Sequence, residues 1–219
     1  MKDLQKIGGI AALYSGIIYV LGMLGYLLVL DYGGVVDPVQ KVALLADNQA
    51  FMYLLNMIAY VIWGIVMIPL TLALYERLKA GSPAIMQTAT AIGLIWATII
   101  IAAGMIFTTG MANVVDLYGK DPAQAATVWL AIDSVFGGLG GSNEVVGALW
   151  TLLVSWAALR SGGLPKALNY LGVVVGVAGL ISIVPAIATL TIFIFAFGGI
   201  VWFIWLGIVM LRGKPSGAA

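Results

Sequence analysis

Carboxylates and amides are the groups best placed to do chemistry in this sequence, because it contains no histidine and no cysteine. Without histidine, the usual general base near neutral pH is missing, and so is the commonest ligand for zinc and haem. Without cysteine there is no disulfide, thiolate nucleophile or thiolate metal site. A metal held by carboxylates alone stays open, but no spacing in the chain suggests one. No metal, cofactor or catalytic residue is therefore assigned. The hydrolase and nucleotide-binding signatures H-E-x-x-H, G-x-S-x-G and the P-loop do not occur. Polar residues in or beside the long apolar runs that could form a site are Asn56, Asn113, Asp116, Asp133, Asn143 and Glu144. On the map built below they fall at similar depth, near the outer ends of spans. Binding in an outward-facing polar pocket is the chemistry such a set could do.

Glu144 is the sharpest of these, and two readings stand for it. An ionisable residue at membrane depth is costly and marks a functional site by default. Alternatively, Ser142 or Asn143 caps a helix and Glu144 follows in the first turn, where a carboxylate suits the positive end of the helix dipole. The cap reading is preferred. For Asp133 the preferred reading is the wet face of an interfacial helix. Asn56 and Gln87 are expected to hydrogen-bond across helices, a common use of amides in membranes. Tyr32, Tyr75 and Tyr118, near span ends, suit interface anchors.

The elements that position these residues are read from composition. Hydrophobic residues make up 63% of the chain and charged residues 9%, against about 25% charged in a soluble domain. The net charge of +1 gives no electrostatic case for nucleic acid. Residues 7–30 carry no charge and suffice to cross a hydrocarbon core of about 30 Å. That run is too long for a signal-peptide core and is read as a retained first helix. Further spans are expected at 51–75, 84–111, 142–159, 168–186 and 192–211. The 44 residues from Leu168 to Leu211 hold no charge and would make one helix of about 66 Å, so they must divide, and Pro185 marks the place. GGLGG at 137–141 similarly separates the 142–159 span from an amphipathic helix at 123–136, which lies on or dips into the outer face. The expected architecture is an all-α integral membrane protein, a bundle of six transmembrane helices in a single domain over 1–219.

Basic residues orient the map. Lys2, Lys6, Arg77, Lys79, Arg160, Lys166, Arg212 and Lys214 fall on one side, and only Lys41 and Lys120 on the other. The positive-inside rule then places both termini in the cytoplasm. Glycines along the first span, and Gly172 with Gly176 in a G-x-x-x-G, predict close helix contact, either within the chain or with a second copy. A faint internal echo relates the starts of the first and fifth spans: Lys2, Leu4 and Gly8 correspond to Lys166, Leu168 and Gly172.

Residues 140–180 carry a recognisable pattern: a glycine-rich lead into an acid, a span with Trp150 and Trp156, then R-S-G-G-L-P-K and A-L-N-Y-L-G-V-V-V-G-V-A-G-L. This stretch resembles a family of small bacterial multi-pass membrane proteins known as a domain of unknown function. The resemblance implies a six-helix protein of the bacterial inner membrane and brings no catalytic residues with it. Three functional classes follow. A non-enzymatic structural or accessory protein, with membrane lipid or a protein partner against its helices, ranks first. A small transporter, channel or lipid-binding protein using the polar pocket ranks second. A carboxylate enzyme using Asp133 with Glu144 ranks last.

Overall fold

Proline opens four of the helices or their turns, and it does so with a repeated device. Asp37-Pro38-Val39-Gln40 and Asp121-Pro122-Ala123-Gln124 each place an aspartate at the N-cap and proline at the first helical position. The Asp37 carboxylate accepts from the Gln40 N–H at 2.8 Å, and Asp121 from the Gln124 N–H at 3.0 Å. Each bond satisfies an N–H that the helix start would otherwise leave open, and proline costs nothing there because its missing N–H has no partner to lose. Pro83 opens a third helix, and Pro165 caps a fourth.

The computed structural model describes residues 2–141 and 144–212. These are all-helical, with no strand among the described residues. The helices are α1 (Lys2–Leu24), α2 (Pro38–Asp47), α3 (Gln49–Asn56), α4 (Trp63–Leu78), α5 (Pro83–Tyr118), α6 (Pro122–Phe136), α7 (Val145–Ser161), α8 (Lys166–Ile181) and α9 (Ala188–Arg212). Two wider π-helical segments accompany them, Gly25–Val29 after α1 and Met57–Ile62 between α3 and α4, and the Gly137–Gly141 stretch after α6 is a kink.

Five stretches are long and apolar enough to cross a membrane, by length and composition: Asp3–Val29, Gln49–Leu78, Pro83–Tyr118, Pro122–Ser161 and Ala188–Arg212. The chain is thus a multi-pass, all-α membrane protein. Lys166–Ile181 is a shorter apolar helix. Pro185 lies in the turn between α8 and α9. In the stretch from Pro122 to Ser161, Gly140 has a φ of 113°, so the helical path breaks there. Ser142 and Asn143 lie outside the described residues.

Two compact units divide the chain. One consists of Ile18–Trp63 and Ile99–Ser142. Its core joins Val42 and Leu45 of α2 to Ala125, Ala126 and Trp129 of α6, with Phe107 and Met111 of α5. The Phe107 ring meets the Trp129 and Phe136 rings edge-on, at centroid distances of 5.1 and 5.0 Å. α6 is therefore packed along one side, through its alanines and Trp129, while Val128, Leu130 and Val135 stay exposed.

The other unit consists of Met1–Ile17, Gly64–Thr98 and Asn143–Ala219. Here glycines set the packing distance. A Cβ on Gly176 of α8 would lie 2.7 Å from Leu152 Cβ and 2.9 Å from the Ala148 carbonyl of α7, so only glycine allows the approach. On α9, a Gly207 Cβ would come within 2.8 Å of the Gly9 carbonyl of α1. Trp150 is fully buried between Trp96, Trp202 and Phe203. α7 ends at Gly162, whose φ of 70° lets its N–H bond back to the Ala158 carbonyl.

Candidate functional site

The polar side chains of the first unit are gathered by the irregular parts of its helices. After α1 the chain widens into the π segment Gly25–Val29, and Leu30 N–H bonds to the Gly25 carbonyl at 3.1 Å. Asp31 then takes a positive φ of 45°, which aspartate tolerates better than most residues. The turn that results returns the Tyr32 N–H to the Tyr26 carbonyl at 3.0 Å. Two tyrosines that a regular helix would splay apart are thereby set side by side, with ring centroids 5.8 Å apart and nearly perpendicular.

Each tyrosine reaches a different polar partner. The Tyr26 hydroxyl donates to Asn56 Oδ1 at 3.2 Å, and Asn56 Nδ2 donates to the Met52 carbonyl at 2.9 Å. Asn56 is fully buried. The Tyr32 hydroxyl donates to Asp133 Oδ1 at 3.3 Å and accepts from Trp129 Nε1 at 3.1 Å. The chain of donors from indole to phenol to carboxylate is directional, and it ends on the negative charge, where hydrogen bonds are strongest. Lys41 Nζ stands 4.5 Å from the centre of the Tyr32 ring, a cation over an aromatic face. Burial and the Asp133 charge both push the Tyr32 hydroxyl well above the ordinary tyrosine range, so it stays a donor.

Each arm of this network borders an irregular stretch of helix, a π segment for Tyr26 and Asn56 and a kink for Asp133. Tyr26 lies inside Gly25–Val29, Asn56 immediately precedes Met57–Ile62, and Asp133 stands one turn before Gly137–Gly141. Gly137 N–H bonds both the Asp133 and Ser134 carbonyls where α6 ends. π insertions cost helix regularity and recur at functional sites.

Of the six residues expected to form a polar pocket, Asn56 and Asp133 enter this network. Asn113 and Asp116 do not: both are exposed on α5, while Met111 and Val114 between and beside them face the core. Asp116 pairs with Lys120 at 2.7 Å, with both side chains largely in solvent; such a pair contributes about 0–1 kcal/mol. Asn143 lies outside the described residues. Glu144 belongs to the other compact unit. It occupies the N-cap position of α7 rather than its first turn, and its side chain makes no capping hydrogen bond.

One more expectation is corrected. Asp133 is half-buried and hydrogen-bonded, not the wet face of α6, because Tyr32 folds back over it. Tyr32, near the end of the first apolar stretch, is a central member of the network. Gln87 is exposed. Sequence reasoning missed Tyr26, Tyr32, Trp129 and Lys41. The signal that could have found the helices beneath them is the repeated D-P-x-Q, since it opens both α2 and α6, the pair that packs together here.

A family model described as Domain of unknown function (DUF4386) matches residues 10–210. The chain belongs to that family. The resemblance read from residues 140–180 thus holds over nearly the whole length, and the matched region contains every residue of the DUF4386 network described above. Neither the curated proteins nor the solved structures contain a match to this chain.

Chemically, the network in this DUF4386 chain offers one carboxylate, two phenol oxygens, one amide oxygen and an aromatic face. No group of three or more His, Cys, Asp or Glu residues that could hold a metal occurs among the described residues. Asp133 and Glu144, the pair a carboxylate enzyme would use, fall in different compact units.

Proposed function

We propose that this protein is a non-enzymatic membrane protein that binds a small cationic group, such as the ammonium of a lipid headgroup or solute, at Asp133 and Tyr32. One observation carries the reading. An ionised carboxylate offers about four acceptor positions, and among the described residues the Asp133 carboxylate receives a single hydrogen bond, from Tyr32. Native mass spectrometry of the protein extracted gently from its own membrane tests the proposal. An amine-bearing lipid or solute should be retained, lost with Asp133→Asn, and kept with Asp116→Asn. Equal retention by Asp133→Asn would sink it.

A second reading, a structural or accessory protein working through helix packing, is favoured by the glycine contacts. Gly9, Gly176 and Gly207 are used within the chain's own packing, so a partner protein or second copy would dock on other surfaces. A protein that emerges bare, or holding only a protein partner, would move the weight to this reading.

We further infer a six-span topology in the bacterial inner membrane with both termini cytoplasmic. The basic residues support it, eight on one side against two on the other. The span this topology adds to the five long stretches is α8, whose 16 residues reach about 24 Å. A helix that short is accommodated by local thinning of the bilayer at modest cost.

A further inference from the structure

Arg77, in the last turn of α4, is a half-buried guanidinium with no acidic partner among the described residues. Its Nε donates to the Gly163 carbonyl at 2.9 Å, in the turn between α7 and α8. Its Nη1 donates to Gln5 Oε1 at 3.3 Å, and Gln5, buried itself, is fixed by its Nε2 on the Ala73 carbonyl at 2.8 Å. Two neutral acceptors hold the guanidinium in place without cancelling its charge. Of its five N–H donors, both on Nη2 are unengaged among the described residues. The acid beside it in sequence, Glu76, is taken by Lys79 at 2.7 Å, and Asp3 in the first turn of α1 is exposed and makes no ion pair with it.

A positive group held rigid and partly out of water is poorly compensated until an anion meets it. The surroundings supply more positive charge and no further acid. The turn that gives Gly163 to Arg77 is flanked by Arg160 and Lys166, both exposed, and residues 160–166 contain no carboxylate. Lys6 is exposed next to Gln5. Arg77 also stands where an apolar stretch ends: Gln49–Leu78 is one of the five long enough to cross a membrane, and Ile65, Ile68 and Leu72 on α4 are exposed apolar side chains. A ligand that suits both features carries an anionic oxygen group joined to hydrocarbon.

We propose that Arg77, with Arg160 and Lys166, forms a binding site for the phosphate of an anionic membrane lipid. The free N–H pair of the guanidinium engages phosphate oxygens, the two flanking basic residues add charge, and the acyl chains lie along the apolar face of α4.

The test uses the full chain in nanodiscs of phosphatidylcholine, with and without phosphatidylglycerol, reading the thermal unfolding midpoint and lipid retention by native mass spectrometry. Phosphatidylglycerol should raise the midpoint of the wild type and be retained. In Arg77→Gln the apparent affinity should fall at least about tenfold, the scale of a lost charge-assisted hydrogen bond. Lys120→Gln, an exposed basic residue elsewhere, should bind as the wild type does. Because Arg77→Gln also loses a bond to Gly163, the double variant Arg160→Gln/Lys166→Gln provides a check that spares the packing. It should unfold normally in phosphatidylcholine alone and bind phosphatidylglycerol several-fold more weakly. Undiminished binding by either variant overturns the site. Inorganic phosphate added to phosphatidylcholine discs at constant ionic strength should leave the midpoint unchanged. A rise lost in Arg77→Gln would overturn the lipid as the source of the phosphate.

Discussion

Replacing Gly93 with alanine separates steric packing from helix propensity, because the two act in opposite directions. Gly93 lies within α5, where Gly→Ala normally stabilises by about 0.5–1 kcal/mol. Here, a Cβ would stand 2.5 Å from Trp150 Nε1 and 2.7 Å from both Trp150 Cδ1 and Thr71 Oγ1. Ordinary contact begins near 3.4 Å, so the indole would have to withdraw by most of an ångström. It has nowhere to go: Trp150 is 0% exposed, with Trp96 at 5.7 Å on one side, Trp202 at 5.8 Å and Phe203 at 6.3 Å on others. Overpacking of this kind costs about 1–3 kcal/mol, which outweighs the propensity gain. Gly93→Ala should therefore destabilise by roughly 1–2 kcal/mol, about a 5- to 30-fold drop in the folding equilibrium. Gly199 of α9 is the matched control. It is buried, but nothing lies within 4 Å of its Cβ position, so Gly199→Ala should gain about 0.5–1 kcal/mol. Reversible unfolding by SDS in mixed micelles, followed by tryptophan fluorescence, measures both. Combining Gly93→Ala with Trp150→Phe, which shortens the ring facing Gly93, should recover at least about 1 kcal/mol relative to the sum of the single changes. Strict additivity, or stabilisation by Gly93→Ala, would refute the packing argument.

At Gly162, φ is 70° and nothing lies within 4 Å of its Cβ position; Gly162→Ala should cost about 1–2 kcal/mol in the same titration, purely from backbone conformation. Tyr32 is held above its ordinary pKa of 10.0 by burial and Asp133, so unfolding releases its proton once the pH exceeds that value. Its contribution to stability is whole below pH 10.0 and declines above it, and the alkaline fall measured by unfolding should be shallower in Tyr32→Phe. The absence of cysteine makes single introduced thiols clean reporters of topology. In intact cells, Gly33→Cys should react with an impermeant maleimide, and Ala80→Cys should react only after permeabilisation; the reverse pattern would invert the proposed orientation.

Helical class was legible because it rests on quantities that a sequence states directly: the length of charge-free runs, and prolines such as Pro83 after a polar turn, where they suit a helix start. The rotational position of a polar residue was not. Asn113 and Asp116 were grouped with Asn56 because they share a depth along the chain, but depth does not fix azimuth, and on α5 the core took Met111 and Val114 instead. The partner of Asp133 was hidden for another reason. Tyr32 is 101 residues away in sequence, and it reaches Asp133 only because a π segment and a positive-φ aspartate turn the chain back at its base. A π segment leaves composition unchanged and shifts the apolar period by a single residue, which is within the noise of a run as uniformly apolar as residues 7–30.

The distribution of irregularity argues for where function resides. In the unit containing Trp150, α7, α8 and α9 are regular among the described residues and approach one another at glycines, where backbones come close and displacement of one helix is resisted by the next. In the unit containing Asp133, two π segments and the kink at Gly137–Gly141 border the tyrosine–carboxylate network, and a non-glycine residue adopts positive φ to complete it. Strain of this kind persists when surrounding contacts enforce it. A purely structural bundle would gain from regularising these turns, since a hydrophobic residue at position 133 would need neither Tyr32 nor the turn that delivers it. The retained carboxylate, with acceptor positions to spare, is what makes the irregular backbone around it understandable, and that is why the binding proposal is placed at Asp133 rather than at the more conspicuous Glu144.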